Sequence, residues 1–441
     1  MLCDRRSAKV AWNVLLGALE QDPETAAVPV DLARTPGEVA AAVEARRARG
    51  QRVLVGWSGY SPELDRLRVA LGEVRRRVAD PEVLHVLGGV HASAEPEQAL
   101  RDGWDLALAG EGERAVVELV RALLRGQDPG GGAVRGVWSR DARGAVRPGG
   151  RAEPVDLEAW PPFAPGRGRY GPIELTRGCI YACGFCQTPF LQRARFRHRT
   201  LPTVLRWVEH LRGVGFRDYR FLSPSSFSYG ADGPAPRLDR LEALLRGVRE
   251  LVGPAARVFY GTFPSEVRPE HVTPEALELL RRWVDNRSII VGGQSGSDRV
   301  LAATHRGHDV AAVSRAVDVA LAAGFVPHVD FLFGLPGEED QDRRASLELM
   351  RDLARRGARV HGHTFMPLPG TPLRDAPPGA VPPWLAGELD RLASGGALYG
   401  QWKTQARLAR GLAAERTPRR LPLHAAARAA AEGGACAEGL A

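Results

Sequence analysis

The sequence predicts an α/β protein built from two parallel-sheet domains, the second a partial (β/α)6 barrel, with a short helical C-terminal extension. Three observations support this prediction. Apolar runs alternate with helical patterns over residues 1–126, a segment crowded with Gly and Pro follows over 127–170, and six strand-then-helix repeats fill 171–373. The extension, 374–441, has helical patterns at 384–392 and 399–412, and from residue 427 we expect a frayed tail.

The first domain is predicted from two buried strands with a helix between them. Residues 52–58 and 83–89 are short apolar runs, and residues 64–78 have helical spacing. Ligands of open α/β sheets bind beyond the carboxyl ends of the strands, so Gly59 and the loop 88–93 are candidate contacts. Ordinary turn geometry explains these glycines equally well. A helix over 12–19 starts so early that it leaves little room for a complete first strand.

The Gly- and Pro-rich segment predicts a linker. Within it, residues 136–147 have the pattern of a small hairpin that turns around 141–144. Such a hairpin would brace the two domains instead of leaving them freely tethered.

The second domain is predicted from six apolar runs that alternate with amphipathic helices. The six strands are expected near residues 173–175, 219–222, 257–262, 288–291, 326–333 and 360–365. By analogy with the complete β/α barrel, the active site is expected at the carboxyl ends of these strands. A cluster of cysteines follows the first strand, where this architecture places chemistry.

The charge pattern bears on possible partners and location. The net charge is +8, but the arginines are spread along helical stretches and not gathered in one basic block, so a nucleic-acid partner is allowed but not favoured. No secretory signal pattern and no run of about 18 apolar residues occurs, so we expect a soluble cytoplasmic protein without a membrane partner.

Three of the five cysteines, Cys179, Cys183 and Cys186, form a C-x3-C-x2-C cluster on a glycine-containing loop. Three thiolates on a [4Fe-4S] cube leave one iron open to a substrate or cofactor. A zinc site completed by His198 is an alternative, as is a ferredoxin-like carrier, which would need a fourth thiolate. Cys3 and Cys436 are expected in the tails and are given no role.

This spacing, with Phe185 just before the last cysteine, resembles the radical S-adenosylmethionine (SAM) superfamily over residues 173 to about 371. The resemblance implies that the open iron chelates SAM and that one electron cleaves it to a 5'-deoxyadenosyl radical, with a flavodoxin or ferredoxin as external reductant. Segments 291–298, 304–307 and 330–338 look like the segments with which that family surrounds SAM. The SAM contacts it implies are Phe185, Ser223, Glu266, Gln294, Ser297, Arg306 and Gly334.

Several of these residues also have a structural interpretation. Ser297 has the position of a helix N-cap, and ordinary capping explains Ser223 and the segment 264–266 about as well. His361 and His363 alternate toward one face of the sixth strand and could reach the barrel mouth, yet a packed histidine pair is the simpler interpretation.

Segments 88–93 and 108–113 resemble the flavodoxin-like cobalamin-binding domain that precedes the barrel in B12-binding-domain radical SAM proteins. The resemblance implies a cobalamin-dependent methyltransferase acting on a small molecule. The cobalamin contacts it implies are Ser58, Gly59, Gly88, Gly89, Ser93 and Gly110. No histidine stands in a D-x-H-x-x-G motif, the usual source of the lower axial ligand. The alternatives are a methylthiotransferase-like enzyme acting on RNA or protein, and a non-catalytic iron-sulfur scaffold or redox sensor.

Overall fold

The structure is a computed structural model that describes residues 2–3, as backbone only, and 8–414. The expected C-terminal tail lies outside the described residues. No helix within the described part is both long and apolar enough to span a membrane.

The N-terminal domain is a seven-stranded sheet with helices on its faces. Its strands are β1 Leu2–Cys3, β2 Leu32–Ala33, β3 Leu54–Ser58, β4 Leu84–Gly88, β5 Leu106–Leu108, β6 Val137–Arg140 and β7 Val146–Arg147. Its helices are α1 Lys9–Gln21, α2 Pro36–Arg47, α3 Leu64–Arg77, α4 Val90–Ala94, α5 Pro96–Arg101 and α6 Gly112–Leu124. The strand order β2-β1-β3-β4-β5 is parallel, and it is the flavodoxin order that the fold prediction required.

Two details of this sheet correct or refine the prediction. The first strand is present, though only two residues long, and it places the backbone of Cys3 between β2 and β3 and not in a tail. The predicted hairpin exists as β6 and β7, and β6 pairs antiparallel with β5. The linker therefore extends the first sheet. Beyond the hairpin, Arg151 Nη2 donates to Leu191 O at 2.8 Å and so contacts the second domain.

The second domain contains the six predicted barrel strands and a seventh. Its strands are β8 Ile173–Glu174, β9 Thr176–Arg177, β10 Arg197–His198, β11 Asp218–Leu222, β12 Arg257–Phe259, β13 Ser288–Gln294, β14 Val326–Phe333, β15 Arg359–Thr364 and β16 Leu398–Gly400. Its helices are α7 Thr188–Leu191, α8 Leu201–Gly213, α9 Leu238–Val252, α10 Pro274–Trp283, α11 Asp298–Ala303, α12 Val310–Ala322, α13 Asp340–Arg356, α14 Pro383–Ser394 and α15 Trp402–Ala414.

The barrel consists of two parallel pieces, β12-β11-β8 and β13-β14-β15-β16. The chain after β12 joins them, because Val267 N donates to Ile290 O at 2.7 Å and Ile290 N donates to Gly261 O at 2.9 Å. The outer faces of the strands pack on the helices: Val329 and Phe331 of β14 are fully buried in that core. The inner faces are more polar, which leaves the barrel interior for chemistry.

The seventh strand, β16, corrects the prediction of a helix from residue 399. Leu398 is buried in the barrel core and pairs with Val360 of β15. Gly400 has φ +129°, and a Cβ there would overlap the backbone oxygen of Gly362. A three-residue strand held by one buried leucine and one glycine contact has too little sequence signal to be found by periodicity.

Candidate functional site

The cysteine loop lies directly after the first barrel strand and is closed by a small ribbon. β9 and β10 pair antiparallel at its two ends, Arg177 with Arg197 and Thr176 with His198. Gly178 has φ +79°, and a Cβ there would overlap the backbone oxygen of Arg195. Cys179 N donates to Arg193 O at 3.2 Å, so the segment after α7 covers the start of the loop. The fold therefore gathers the three cysteines on one clamped loop.

The three thiols are free, and their sulfur atoms do not all lie within 4.8 Å of one another. Among the described residues, only Asp330, His361 and His363 form a set of three whose ligand atoms all lie within 4.8 Å of one another. Burial raises the pKa of the Cys179 thiol to about 12, so its thiolate form needs a bound cation.

The zinc alternative fails at its fourth ligand. The two ring nitrogens of His198 are engaged elsewhere: Nδ1 lies 2.9 Å from Thr176 Oγ1, and Nε2 lies 2.9 Å from Ala231 O. The His198 side chain thus ties β10 to its neighbours.

Three of the residues expected at SAM converge beside the cysteine loop, around Gly292 of β13. A Cβ at Gly292 would lie 2.8 Å from Arg306 Nη2 and 3.1 Å from both Gln294 Nε2 and Glu266 Oε2. Gln294 has φ +73°, at a point where the β13–β14 register is irregular. Burial raises the pKa of Glu266 to about 7, against the opposing charge of Arg306. A side chain at position 292 would fill the point on which these groups converge.

Arg306 connects that group to the cysteine loop. Its Nη1 lies 3.4 Å from Cys183 Sγ, and its Nη2 donates to Gly292 O at 2.6 Å. Its Nε is buried and has no hydrogen-bond partner among the described protein atoms. Its guanidinium carbon lies 6.0 Å from the centre of the Phe185 ring. The guanidinium of Arg306, an expected SAM contact, is thus bound by protein groups at two nitrogens and has no partner at the third among the described residues.

The other residues expected at SAM hold local structure. Ser297 caps α11 and donates to Asp342 at 2.6 Å, and Ser223 donates to Ser225 O at 2.8 Å. The close approach at Gly334 is to the backbone of Gly379 and Ala380, which a Cβ would overlap. Their hydroxyls and backbone are already used by the fold.

A cavity of about 850 Å³ lies over the carboxyl ends of the N-terminal strands and reaches the barrel. Five of the six residues expected at cobalamin line it: Ser58, Gly88, Gly89, Ser93 and Gly110. Gly59 is the exception, because a Cβ there would overlap the Leu67 side chain of α3. On the barrel side the cavity is lined by Arg177, Leu222 and Pro264. One cavity therefore touches both domains.

Comparison with known proteins identifies the barrel. Residues 173–350 match the family described as the Radical SAM superfamily. Residues 173–350 therefore form a radical SAM domain. A relative from Methanopyrus kandleri, an uncharacterized protein, is 25% identical over 346 residues. That alignment covers 67% of this chain and 63% of the relative, so the match spans less than two thirds of its length.

Two solved radical SAM structures share the two-domain fold. TsrM from Kitasatospora setae, a radical S-adenosylmethionine methyltransferase solved with cobalamin and a [4Fe-4S] cluster, matches with a TM-score of 0.65 and 21% identity, over 85% of this chain and 76% of TsrM. OxsB, a cobalamin-dependent S-adenosylmethionine radical enzyme solved with aqua-cobalamin, matches with a TM-score of 0.60 and 17% identity. That match covers 76% of this chain and 49% of OxsB. At these identities the likeness shows the fold alone: a flavodoxin-like α/β domain followed by a β/α barrel.

A buried ionic network joins the two domains, and it was not predicted from the sequence. Arg177 lies 3.0 Å from Glu111, 2.7 Å from Glu113 and 2.6 Å from Glu174. Arg197 Nη1 donates to Glu111 at 3.0 Å. Glu111 and Glu113 lie at the start of α6 in the first domain, whereas the two arginines flank the cysteine loop. The signal available in the sequence was the charge of Arg177 immediately before Gly178 and Cys179.

Charge compensation keeps this network ionised although it is buried. Burial opposes ionisation of Glu111, but the hydrogen bond from Arg197 and the charge of Arg177 hold the pKa of that carboxyl below its ordinary value. Burial likewise opposes the charge of Arg177, and its three carboxylates still raise the pKa of the guanidinium well above its usual range. The network lines the cavity floor beside the cysteine loop.

Proposed function

We propose that this chain is a cobalamin-dependent radical SAM methyltransferase that acts on a small molecule. The proposal assigns a [4Fe-4S] cluster to Cys179, Cys183 and Cys186, SAM to the region around Gly292, and cobalamin to the cavity between the domains. The observation that carries it is that one cavity is lined both by the glycine-rich strand ends of the first domain and by Arg177 of the cysteine loop.

The residues present suit these groups chemically. The Nε of Arg306 is a buried donor without a partner in the part of the chain that the structure describes, which suits the carboxylate of SAM. Gly88 and Gly89 present no side chains to the cavity, so a large planar ring can approach the strand ends. Open iron and SAM supply reductive cleavage and cobalamin supplies a methyl group.

The chain's own residues would position and shield the reactants. Arg306 would orient one end of SAM against the Cys183 side of the loop, and Glu266 and Gln294 would contact it from β13 and the preceding loop. The Arg177 network would fix the first domain over the barrel. The distance between the cavity and the cysteine loop would then stay constant. An external one-electron donor of the flavodoxin or ferredoxin class would serve as reductant.

The cysteine content favours this proposal over a methylthiotransferase. A second cluster needs about three further thiolates, and the sequence has only Cys3 and Cys436 besides the motif. A non-catalytic scaffold would not require the orphaned donor of Arg306 beside Cys183.

The test is anaerobic reconstitution of the full chain with iron, sulfide and hydroxocobalamin, then desalting and metal analysis. We expect about four irons and one cobalt per chain, and 5'-deoxyadenosine or a methylated cobalamin product after addition of SAM and reductant. Cys183→Ala should lose the iron and the SAM-derived product, whereas Cys436→Ala, outside the motif, should keep both. Iron retained without cobalt would contradict the cobalamin assignment, and an intact cluster that neither binds nor cleaves SAM would contradict the enzyme.

A further inference from the structure

A second cluster of metal-ligating side chains, none of them a cysteine, lies inside the barrel. Asp330 of β14 lies on the face opposite the buried Val329 and Phe331, so it points to the barrel interior. His361 and His363 of β15 share that interior face. Their side chains keep about a quarter of their surface exposed, 27% and 29%, so solvent reaches them.

The three ligand atoms are spaced like the corners of one coordination polyhedron. Asp330 Oδ1 lies 2.8 Å from His361 Nδ1, which lies 3.1 Å from His363 Nε2, and His363 Nε2 lies 3.9 Å from Asp330 Oδ1. Metal–ligand bonds of about 2.1 Å put neighbouring ligand atoms roughly 3.0 to 3.6 Å apart, so the three separations lie within about 0.3 Å of that range. The His361 ring is fixed in place by stacking on Tyr399, at 4.5 Å and 11°.

The hydrogen bonds around these atoms show a shortage of protons. The backbone N–H of Thr364 donates to Gln405 Oε1 at 2.9 Å, which turns the amide nitrogen of Gln405 toward His363 Nδ1, 3.1 Å away. His363 then carries its proton on Nε2 and directs it at His361 Nδ1, which must accept. Asp330 Oδ1, another acceptor, faces that same nitrogen. Two acceptors 2.8 Å apart require either a shared proton or a metal ion between them.

Glu266 also interacts with Asp330. Two acids and two imidazoles therefore meet within the barrel. Imidazole and carboxylate together are the ligand set of divalent zinc, iron and manganese, and three protein ligands leave positions for water or a substrate oxygen.

We propose that Asp330, His361 and His363 bind one divalent transition-metal ion inside the barrel. The site is distinct from the cysteine cluster and does not depend on the proposed methyltransferase activity. Binding through His363 Nε2 moves the ring proton to Nδ1, so the Gln405 amide must turn its oxygen to that proton and give up the N–H of Thr364. A glutamate at position 405 would accept both hydrogens at once.

The experiment can therefore include a variant, Gln405→Glu, that is expected to bind the metal more tightly than the wild type. The reconstituted full chain, with its iron-sulfur cluster in place, is dialysed to equilibrium against Zn²⁺, and bound zinc is measured beside iron. We expect one zinc per chain in the wild type, about a 100-fold weaker site in His361→Ala and Asp330→Asn, and at least tenfold tighter binding in Gln405→Glu. His328→Ala is the matched control, because His328 shares the interior face of β14 but bonds Tyr399, at 2.7 Å.

The outcomes separate this proposal from the proposed function. Iron, cobalt and SAM cleavage are measured on the same samples, so loss of the cluster is seen independently of zinc. Equal zinc binding in the wild type and in His361→Ala, or no bound zinc at all, would overturn the metal site. If His361→Ala does not fold, the zinc affinities of His363→Gln and Gln405→Glu test the proposal instead. An unchanged zinc affinity in Gln405→Glu would also overturn the metal site.

Discussion

The guanidinium of Arg306 bridges Cys183 and Gly292: Nη1 lies 3.4 Å from the thiol sulfur and Nη2 donates to the glycine carbonyl at 2.6 Å. These contacts fix the arginine between the cysteine loop and β13. Its Nε is buried and has no hydrogen-bond partner among the described residues. The relationship links the cluster loop to the residues expected at SAM.

Arg306→Lys should impair SAM cleavage while sparing the cluster. Lysine keeps the charge but lacks the planar fork, so it cannot contact Cys183 and Gly292 and still offer a third donor. A lost charged hydrogen bond is worth about 1.5–3 kcal/mol, so we expect 10- to 100-fold less 5'-deoxyadenosine per minute at about four irons per chain. Arg315→Lys, at an exposed arginine of α12, should change nothing. Wild-type cleavage in Arg306→Lys would remove Arg306 from the SAM site.

Arg177→Met should be one of the most destabilising single changes in the chain. It leaves Glu111, Glu113 and Glu174 buried without their shared cation, and breaking a buried ion pair costs about 3–5 kcal/mol. Urea unfolding followed by circular dichroism measures this. The matched control is Arg257→Met, where the partner pair with Asp218 is exposed and we expect less than about 1 kcal/mol. Similar losses in the two variants would show that the network does not hold the domains.

Local signals in the sequence were enough for the barrel strands and the cysteine loop. The runs at 288–291 and 326–333 are strongly apolar because one face of each packs on helices, and that pattern is visible along the chain. The C-x3-C-x2-C spacing is likewise local. The flavodoxin-like fold of the first domain was expected through the family resemblance of segments 88–93 and 108–113, and the strand order agrees with it.

Contacts between distant segments escaped prediction. Arg177 and Glu111 are 66 residues apart, and neither position alone differs from a surface charge until the domains meet. His361 and His363 were recognised as sharing one face, but Asp330 stands on another strand and Gln405 lies beyond the predicted barrel. The hydroxyls of Ser223 and Ser297 donate hydrogen bonds within the protein. A structural role of this kind was the stated alternative to a SAM contact for both residues.

Gly88→Leu should block the cavity without disturbing the sheet. Gly88 shares the cavity face of β4 with Leu84 and Val86, and a Cβ there meets only Trp57 O, at 3.9 Å. A leucine therefore projects into the space proposed for cobalamin. We expect cobalt per chain after reconstitution to fall at least tenfold, with iron unchanged.

Gly72→Leu is the control for that variant, since Gly72 is exposed on α3 and a Cβ there meets nothing within 4 Å. It should retain cobalt like the wild type. Full cobalt retention in Gly88→Leu would mean that cobalamin, if bound, lies elsewhere.

Acid should destabilise the N-terminal domain through two buried histidines. Trp57 Nε1 donates to His85 Nδ1 at 3.1 Å, and burial lowers the pKa of His85 to about 4. Burial also lowers the pKa of His91, beside Ser61, to about 4. The unfolded chain, with histidine pKa near 6.5, binds these protons first. The stability that comes from keeping these two histidines neutral is therefore fully present above about pH 6.5. It is lost as the pH falls from there toward 4.

At pH 5 each histidine should lower the free energy of unfolding by about 2 kcal/mol relative to neutral pH. His85→Gln removes one titrating group while its amide oxygen can still accept from Trp57, so its own loss between pH 7 and pH 5 should be about 2 kcal/mol smaller than that of the wild type. Urea unfolding at the two pH values measures the difference, and His91→Gln provides an independent second case. Equal pH dependence in all three proteins would show that neither histidine is held neutral by the fold.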